Sequence, residues 1–163
     1  MINPFLRFGG SALIVIVAGL SPASGAEPEK AIAVIVAASP ARSLKLEELA
    51  LIYRRKKLFS NEGTKLNPVN LQASNPLRRM FSRVVLGSSP EDLEKYWNDM
   101  YFHGVSPPFV LTSEEAVLRF VAQTPGAIGY VSYCSVDARV SVALVISDSG
   151  QVSANTAGIV CQK

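Results

Sequence analysis

The sequence contains few of the residues on which enzyme and metal chemistry usually depends. It has one histidine, His103, and only two cysteines. Any Ser-His-Asp or histidine–metal arrangement would depend on His103 alone, and this residue precedes Gly104, where a histidine commonly bonds to the last carbonyls of a helix. No spacing typical of a zinc, calcium or nucleotide site occurs. We therefore expect no enzyme activity, no metal and no cofactor.

Charge of either sign is also scarce. Charged residues make up 18% of the chain, and the formal net charge is only +3. A balance this mild does not indicate a nucleic-acid-binding protein. It is more typical of a protein that attracts small anions, acidic partners or an anionic membrane surface.

No apolar run is long enough to span a membrane. The run from Ala12 to Leu20 is shorter than the ~20 residues that a spanning helix needs. One cation precedes it, and the small residues Ser24-Gly25-Ala26 follow it, which is the layout of a secretory signal peptide. We predict cleavage after Ala26, export to the periplasm, no stable membrane anchor and one domain over residues 27–163.

The two cysteines, Cys134 and Cys161, both fall in the predicted mature domain. An even count in an oxidising compartment indicates a disulfide, and two cysteines permit one pairing. A bridge closing a loop of this length would contribute roughly 3–4 kcal/mol. The alternative is two unpaired thiols. Because no Cys-x-x-Cys pair occurs, a redox enzyme is not expected.

Strands alternate with helices along the chain. The patterns predict strands over residues 31–37, 66–71, 127–133 and 140–146, and helices beginning near residues 46, 76, 90 and 114. The run Arg54-Arg55-Lys56-Lys57 suits the end of the first helix. This alternation predicts an α/β domain: a single three-layer lobe whose small, mostly parallel sheet is flanked by about four helices. The tail after about residue 149 is expected to be loose.

The segment Thr124-Pro-Gly-Ala-Ile-Gly-Tyr-Val131 ends one element and starts another. Pro125 and Gly126 stop a helix, and Gly129 leaves room for a backbone or a ligand to approach the strand that follows. The segment resembles a signature of the phosphate-binding proteins of bacterial ABC transporters, which have the type 2 periplasmic binding protein fold. Ile52-Tyr53-Arg54 and Pro68-Val69-Asn70 are also similar to that family.

This resemblance implies one lobe of a two-lobed binding protein. It implies an exported solute-binding function for phosphate or another oxyanion, in a protein that works alone or as a homodimer that rebuilds the cleft. In the family, a Ser-Gly-Thr triplet at a helix N-terminus binds phosphate, with an arginine a few residues upstream. The matching triplet here is Ser74-Asn75-Pro76, and the arginine position falls near Asn70 or Leu71, so that charge is missing there.

Four residues are therefore candidates for an oxyanion site: Ser74, Asn75, Arg78 and Ser39. Free N–H groups and the dipole at a helix N-terminus attract anions, and Arg78, in the first turn, could bond an anion bidentately. Ser39 follows the first strand, and ligands bind at strand C-terminal ends in such sheets. The alternative is structural: Asn75 caps the helix, the arginines are solvated or face acids, and Ser39 belongs to a turn.

A second function stays open, that of a ligand-free interaction module for an envelope sensing or transport protein. It predicts an exposed apolar patch. Tyr96, Trp97, Met100 and Tyr101 could contribute to one, although an aromatic stripe at helical spacing also suits a core.

Overall fold

The described residues form an α/β arrangement of six strands and four α-helices. The structure is a computed structural model that describes residues 31–38, 43–153, 159 and 161. In chain order the elements are β1 (Ala31–Ala37), α1 (Leu46–Tyr53), β2 (Asn67–Leu71), α2 (Pro76–Leu86), α3 (Leu93–Phe102), β3 (Phe109–Leu111), α4 (Glu114–Gln123), β4 (Ala127–Ser132), a short 3-10 helix (Tyr133–Ser135), β5 (Val140–Ser147) and β6 (Val152–Ser153). The predicted α/β class is confirmed.

All six strands form one sheet in the order β3-β2-β4-β1-β5-β6. Strands β2 to β5 run in one direction, whereas β1 and β6 run in the opposite one. Because the reversed strand β1 is central, it pairs antiparallel with both β4 and β5. The sheet is therefore mostly parallel in strand direction but mixed in its pairings, of which two are parallel and three antiparallel.

Helices cover both faces of the sheet, which gives the expected three layers. Successive residues of a strand point to opposite faces. At Gly129 in β4 the sheet meets Val117 and Val121 of α4. At the next residue, Tyr130, the ring stacks on Phe81 of α2 with 4.0 Å between ring centroids. Thus α4 packs on one face and α2 on the other.

The signature segment 124–131 has a structural role in this lobe. A Cβ added to Gly129 would lie 2.5 Å from Val117 Cγ1, so the close approach predicted from this glycine is that of α4 rather than a ligand. Gly126 has φ +69, and a Cβ there would lie 2.0 Å from the carbonyl oxygen of Lys65. Its own carbonyl accepts from Asn67 N–H at 2.8 Å, which joins the start of β4 to the start of β2.

Two short strands were not predicted from the sequence. β3 occupies the end of the connection before α4, and β6 lies in the tail that was expected to be loose. The basic run after α1 also differs from expectation. The helix ends at Tyr53 and Arg54 is its C-cap, so no cation lies in the last turn.

A disulfide joins Cys134, just after β4, to Cys161, with 5.4 Å between their Cα atoms. It ties the C-terminal part of the chain to the end of a core strand, as expected from the cysteine count. Within the described residues, no helix is both long and apolar enough to cross a membrane.

The packing at Gly129 predicts a specific coupling between β4 and α4. Gly129→Ala should lower the free energy of unfolding by about 1–3 kcal/mol because its methyl group overlaps Val117. Val117→Ala alone should also destabilise, by leaving a cavity. The double variant should lose less than the sum of the two, as measured by chemical denaturation. Additive losses would contradict this packing.

Candidate oxyanion-binding site

The N-terminus of α2 lies just beyond the carboxyl end of β2 and is capped by its own sequence. Asn75 is the N-cap, and its side-chain oxygen accepts from Leu77 N–H at 2.9 Å. Pro76, at the first helical position, has no N–H. Among the first-turn N–H groups, that of Arg78 has no hydrogen-bond partner among the described residues. The structural interpretation of Asn75 is therefore borne out, and the helix terminus offers an anion fewer donors than an uncapped helix would.

Arg78 is buried, with 7% of its surface exposed. Its guanidinium turns back from α2 to the end of β2, where Nη1 donates to the side-chain oxygen of Asn70. No carboxylate among the described residues forms an ion pair with it. The adjacent Arg79 differs, because it is exposed and pairs with Glu91 at 2.5 Å. Arg78 is thus a buried cation without an acidic counter-charge in the described part of the chain.

Two buried tyrosines surround this cation. Tyr130 donates its hydroxyl to the Asn70 side-chain oxygen at 3.3 Å and accepts from Leu71 N–H at 3.2 Å. Tyr53 donates to the carbonyl of Val69 at 3.0 Å. Burial raises the pKa of both hydroxyls, and the nearby Arg78 charge works in the opposite direction. Both tyrosines therefore stay neutral at physiological pH and cannot serve as the counter-ion.

The groups around the guanidinium are neutral. Arg78 has the side chains of Asn70 and Tyr130 as hydrogen-bond partners, and the Asn70 side-chain nitrogen makes no hydrogen bond with described residues. The guanidinium nitrogens and this amide nitrogen are not among the fully buried unpaired atoms. Ser74 is exposed on the segment between β2 and α2. An oxyanion would supply the negative charge that these donors do not find among the described residues, together with further hydrogen-bond acceptors.

The Arg78 guanidinium lies at the carboxyl end of β2, where it bonds to the Asn70 side chain. The resemblance implies an arginine near Asn70 or Leu71. Arg78 therefore supplies a positive charge close to that position from the first turn of α2.

Ser39 was suggested as a contact because it follows the first strand. Because β1 is antiparallel to β4, β1 ends at Ala37 at the edge where β4 begins, opposite the edge where β2 ends. Ser39 itself lies outside the described residues, so its role as a contact stays a prediction.

The other polar candidates have structural partners. His103 follows α3 as its C-cap, and its Nδ1 contacts the carbonyl oxygen of Asp99 at 2.8 Å, as expected for a terminal histidine. Glu114 accepts from Ser132 N–H at 2.7 Å. Within the described ranges, no group of three potential metal-ligating side chains occurs.

A cavity of about 600 Å³ lies away from Arg78, at the edge where β2 and β4 begin. Its walls include the apolar side chains of Leu44, Ile52, Leu66 and Ile128. Ser74, Asn75 and Arg78 do not line it.

Comparison with known proteins identifies the fold. No protein-family model matches the chain, and no curated protein matches it. Solved structures do match. A Clostridium perfringens protein described as a phosphate ABC transporter substrate-binding protein, with bound phosphate, is 22% identical, with a TM-score of 0.58 over 71% of this chain and 44% of that one. An ABC-type phosphate transport receptor from Vibrio cholerae is 23% identical, with a TM-score of 0.56 over 71% and 46%. PstS from Borrelia burgdorferi is 17% identical, with a TM-score of 0.51 over 66% and 42%.

This chain has the fold of part of a phosphate ABC transporter substrate-binding protein. It spans less than half the length of the solved structures it matches. The resemblance noted in the sequence is thus confirmed at the level of the fold, for a short, single-lobe relative.

Sequence reasoning missed the residues that hold Arg78. Asn70 and Tyr130 are 4% and 1% exposed, and they lie on β2 and β4. Both lie in predicted strands, over residues 66–71 and 127–133, but neither was named as a site residue. The available signal was a polar residue, Asn70, near the end of a predicted strand and eight residues before an arginine.

The contact between Asn70 and Arg78 predicts a cost for removing the amide. Asn70→Ala should lower the free energy of unfolding by about 1.5–3 kcal/mol, because a buried charged donor loses its partner. Asn98→Ala, at an exposed position of α3, is the control and should change stability by no more than about 0.5 kcal/mol. Equal effects of the two substitutions in urea denaturation would contradict the role assigned to Asn70.

Proposed function

We propose that this protein binds phosphate or a similar oxyanion at the carboxyl end of β2, as an exported solute-binding lobe. Arg78 supplies the charge, Asn70 positions it, and the Ser74 hydroxyl and the Arg78 N–H add donors. The function is binding rather than catalysis. Residues 1–26, which lie outside the described residues, serve as the export signal in this proposal, with cleavage after Ala26.

The observation that carries the proposal is the buried guanidinium without an acidic partner. A buried charge is normally paired, because removal from water costs several kcal/mol. Here Asn70 and Tyr130 offer the guanidinium only neutral groups. An oxyanion would complete the pairing. The bound phosphate in the Clostridium perfringens structure makes phosphate the first anion to test.

A single lobe supplies only part of a ligand shell. Because few donors converge on the anion and Asn75 and Pro76 withdraw two of them, we expect binding near millimolar strength, or about 4 kcal/mol. A second copy of the chain, or an envelope protein, would strengthen binding by covering the open side of the anion.

Replacement of Arg78 by glutamine tests the site. Arg78→Gln keeps a donor for Asn70 but removes the charge, so the phosphate affinity measured by calorimetry at low ionic strength should fall at least tenfold, which is about 1.4 kcal/mol. Without phosphate the variant should unfold at a temperature no lower than wild type, because an unpaired buried charge has been removed. Phosphate should raise the midpoint of wild type only.

Arg83→Gln is the matched control, since Arg83 is exposed on the same helix and makes the same change in net charge. It should bind phosphate like wild type. The site assignment fails if Arg78→Gln keeps the wild-type response, or if Arg83→Gln loses as much affinity. Equal heats from sulfate would indicate an oxyanion site without preference for phosphate.

A second candidate function is protein association, favoured by exposed apolar side chains near the end of α3 and on β3. Phe102 is 87% exposed, Phe109 75%, Tyr101 70% and Val110 60%. By contrast, Trp97 packs against the core, so only part of the predicted aromatic stripe is exposed. Several large apolar side chains at a surface are typical of an interaction site.

Sedimentation velocity tests this candidate with the protein itself as partner. If these side chains mediate a homodimer, wild type should sediment as a dimer at micromolar concentrations, and Phe102→Ser/Phe109→Ser should sediment as a monomer. A wild-type monomer at all concentrations would rule out the homodimer. Identical dimers from both proteins would place the interface elsewhere.

A further inference from the structure

The positive charge of this protein is concentrated in one segment. Residues 51–66 contain five Lys or Arg residues and one Glu, a net charge of +4, whereas the whole chain carries +3. The rest of the chain is therefore close to neutral. We call residues 51–66 the basic hairpin.

The local backbone folds this segment back on itself. Beyond the end of α1, Arg55 has φ 59, and the N–H groups of Lys56 and Lys57 both donate to the Leu51 carbonyl, at 2.8 and 3.1 Å. Phe59 then pairs antiparallel with Lys65 across a turn at Gly63. The basic run and its flanking apolar residues are thereby gathered into one compact surface feature.

Most of these cations lack an acidic partner. Lys57 pairs with Glu48 at 2.7 Å. Arg54 and Arg55 donate to the backbone carbonyls of Leu86 and Leu66, which leaves their charge unneutralised. The remaining two, Lys56 and Lys65, are exposed and form no ion pair with described residues.

Large apolar side chains are exposed between these cations. Phe59 is 55% exposed, Leu51 45% and Leu58 40%. On the same helix as Leu51, the side chains of Leu49 and Ile52 are 0% and 1% exposed, so Leu51 lies on the surface side of α1. The combination of exposed Phe and Leu with Lys and Arg is typical of surfaces that bind an anionic lipid interface.

We propose that the basic hairpin binds anionic phospholipid surfaces reversibly. Lys56 and Lys65, with Arg54 and Arg55 behind them, attract the headgroups, and Phe59 and Leu58 enter the boundary between headgroups and acyl chains. Lipid suits this surface because mobile headgroups can neutralise scattered cations without a fixed pairing geometry. The hairpin leads into the start of β2, whereas the oxyanion site lies at its end, so the two proposals are independent.

Vesicle co-sedimentation tests this proposal with the purified full chain. Wild type should bind vesicles of phosphatidylglycerol and phosphatidylcholine at least tenfold more tightly than vesicles of phosphatidylcholine alone at ~0.1 M salt. Raising the salt to ~0.5 M should release most of it. Lys56→Glu/Lys65→Glu should weaken binding to the anionic vesicles about tenfold or more, and Phe59→Ser several-fold.

Two matched controls keep the rest of the chain, including residues 12–20, unchanged. Arg83→Glu/Lys95→Glu reverses two exposed cations outside the basic hairpin, and Val152→Ser removes an exposed apolar side chain on β6. Neither should change binding to anionic vesicles by more than about twofold. The proposal is overturned if neutral and anionic vesicles bind wild type equally, if Arg83→Glu/Lys95→Glu weakens binding as much as Lys56→Glu/Lys65→Glu, or if soluble polyglutamate binds the hairpin while vesicles do not.

Discussion

The hydrogen bond between the Arg78 guanidinium and the Asn70 side chain sets the geometry of the candidate site. It fixes a permanent charge in a buried position, and burial of a charge is tolerated only with adequate partners. The bond joins α2 to the last residues of β2, and Tyr130 joins the same oxygen from β4. The stacked pair of Tyr130 and Phe81 closes the apolar side of this arrangement. Folding therefore holds the cation in place before any ligand arrives.

The two faces of the sheet pack against different helices and differ in polarity. On one face, Gly129 allows α4 to pack closely, and this packing explains the family-like segment 124–131 in purely structural terms. On the other face, the layer containing α1 and α2 holds the polar network of Tyr53, Asn70 and Arg78. This network lies within a chain that spans less than half the length of the solved structures it matches.

The helices and strands with strong local sequence signals were predicted best. The apolar run of β1 and the start of α2 at Asn75-Pro76 agree with the structure. Strands β3 and β6 were missed because segments of three and two residues carry too little periodicity to be recognised. The reversed direction of β1 was missed for another reason. Strand direction depends on tertiary pairing, and this reversal places the end of β1, which Ser39 follows in sequence, at the edge opposite the end of β2. The path of the Arg78 side chain back to Asn70 likewise depends on how α2 packs, which helical spacing does not reveal.

The most direct test of the account is a ¹⁵N NMR titration that follows the side-chain Nε–H signals of the arginines as inorganic phosphate is added at constant ionic strength. The account predicts a saturable shift of the Arg78 signal, whereas the signal of Arg83, exposed on the same helix, stays in place. An Arg78 signal that does not respond to several millimolar phosphate, or arginine signals that all shift together without saturation, would contradict an oxyanion site built on the buried guanidinium.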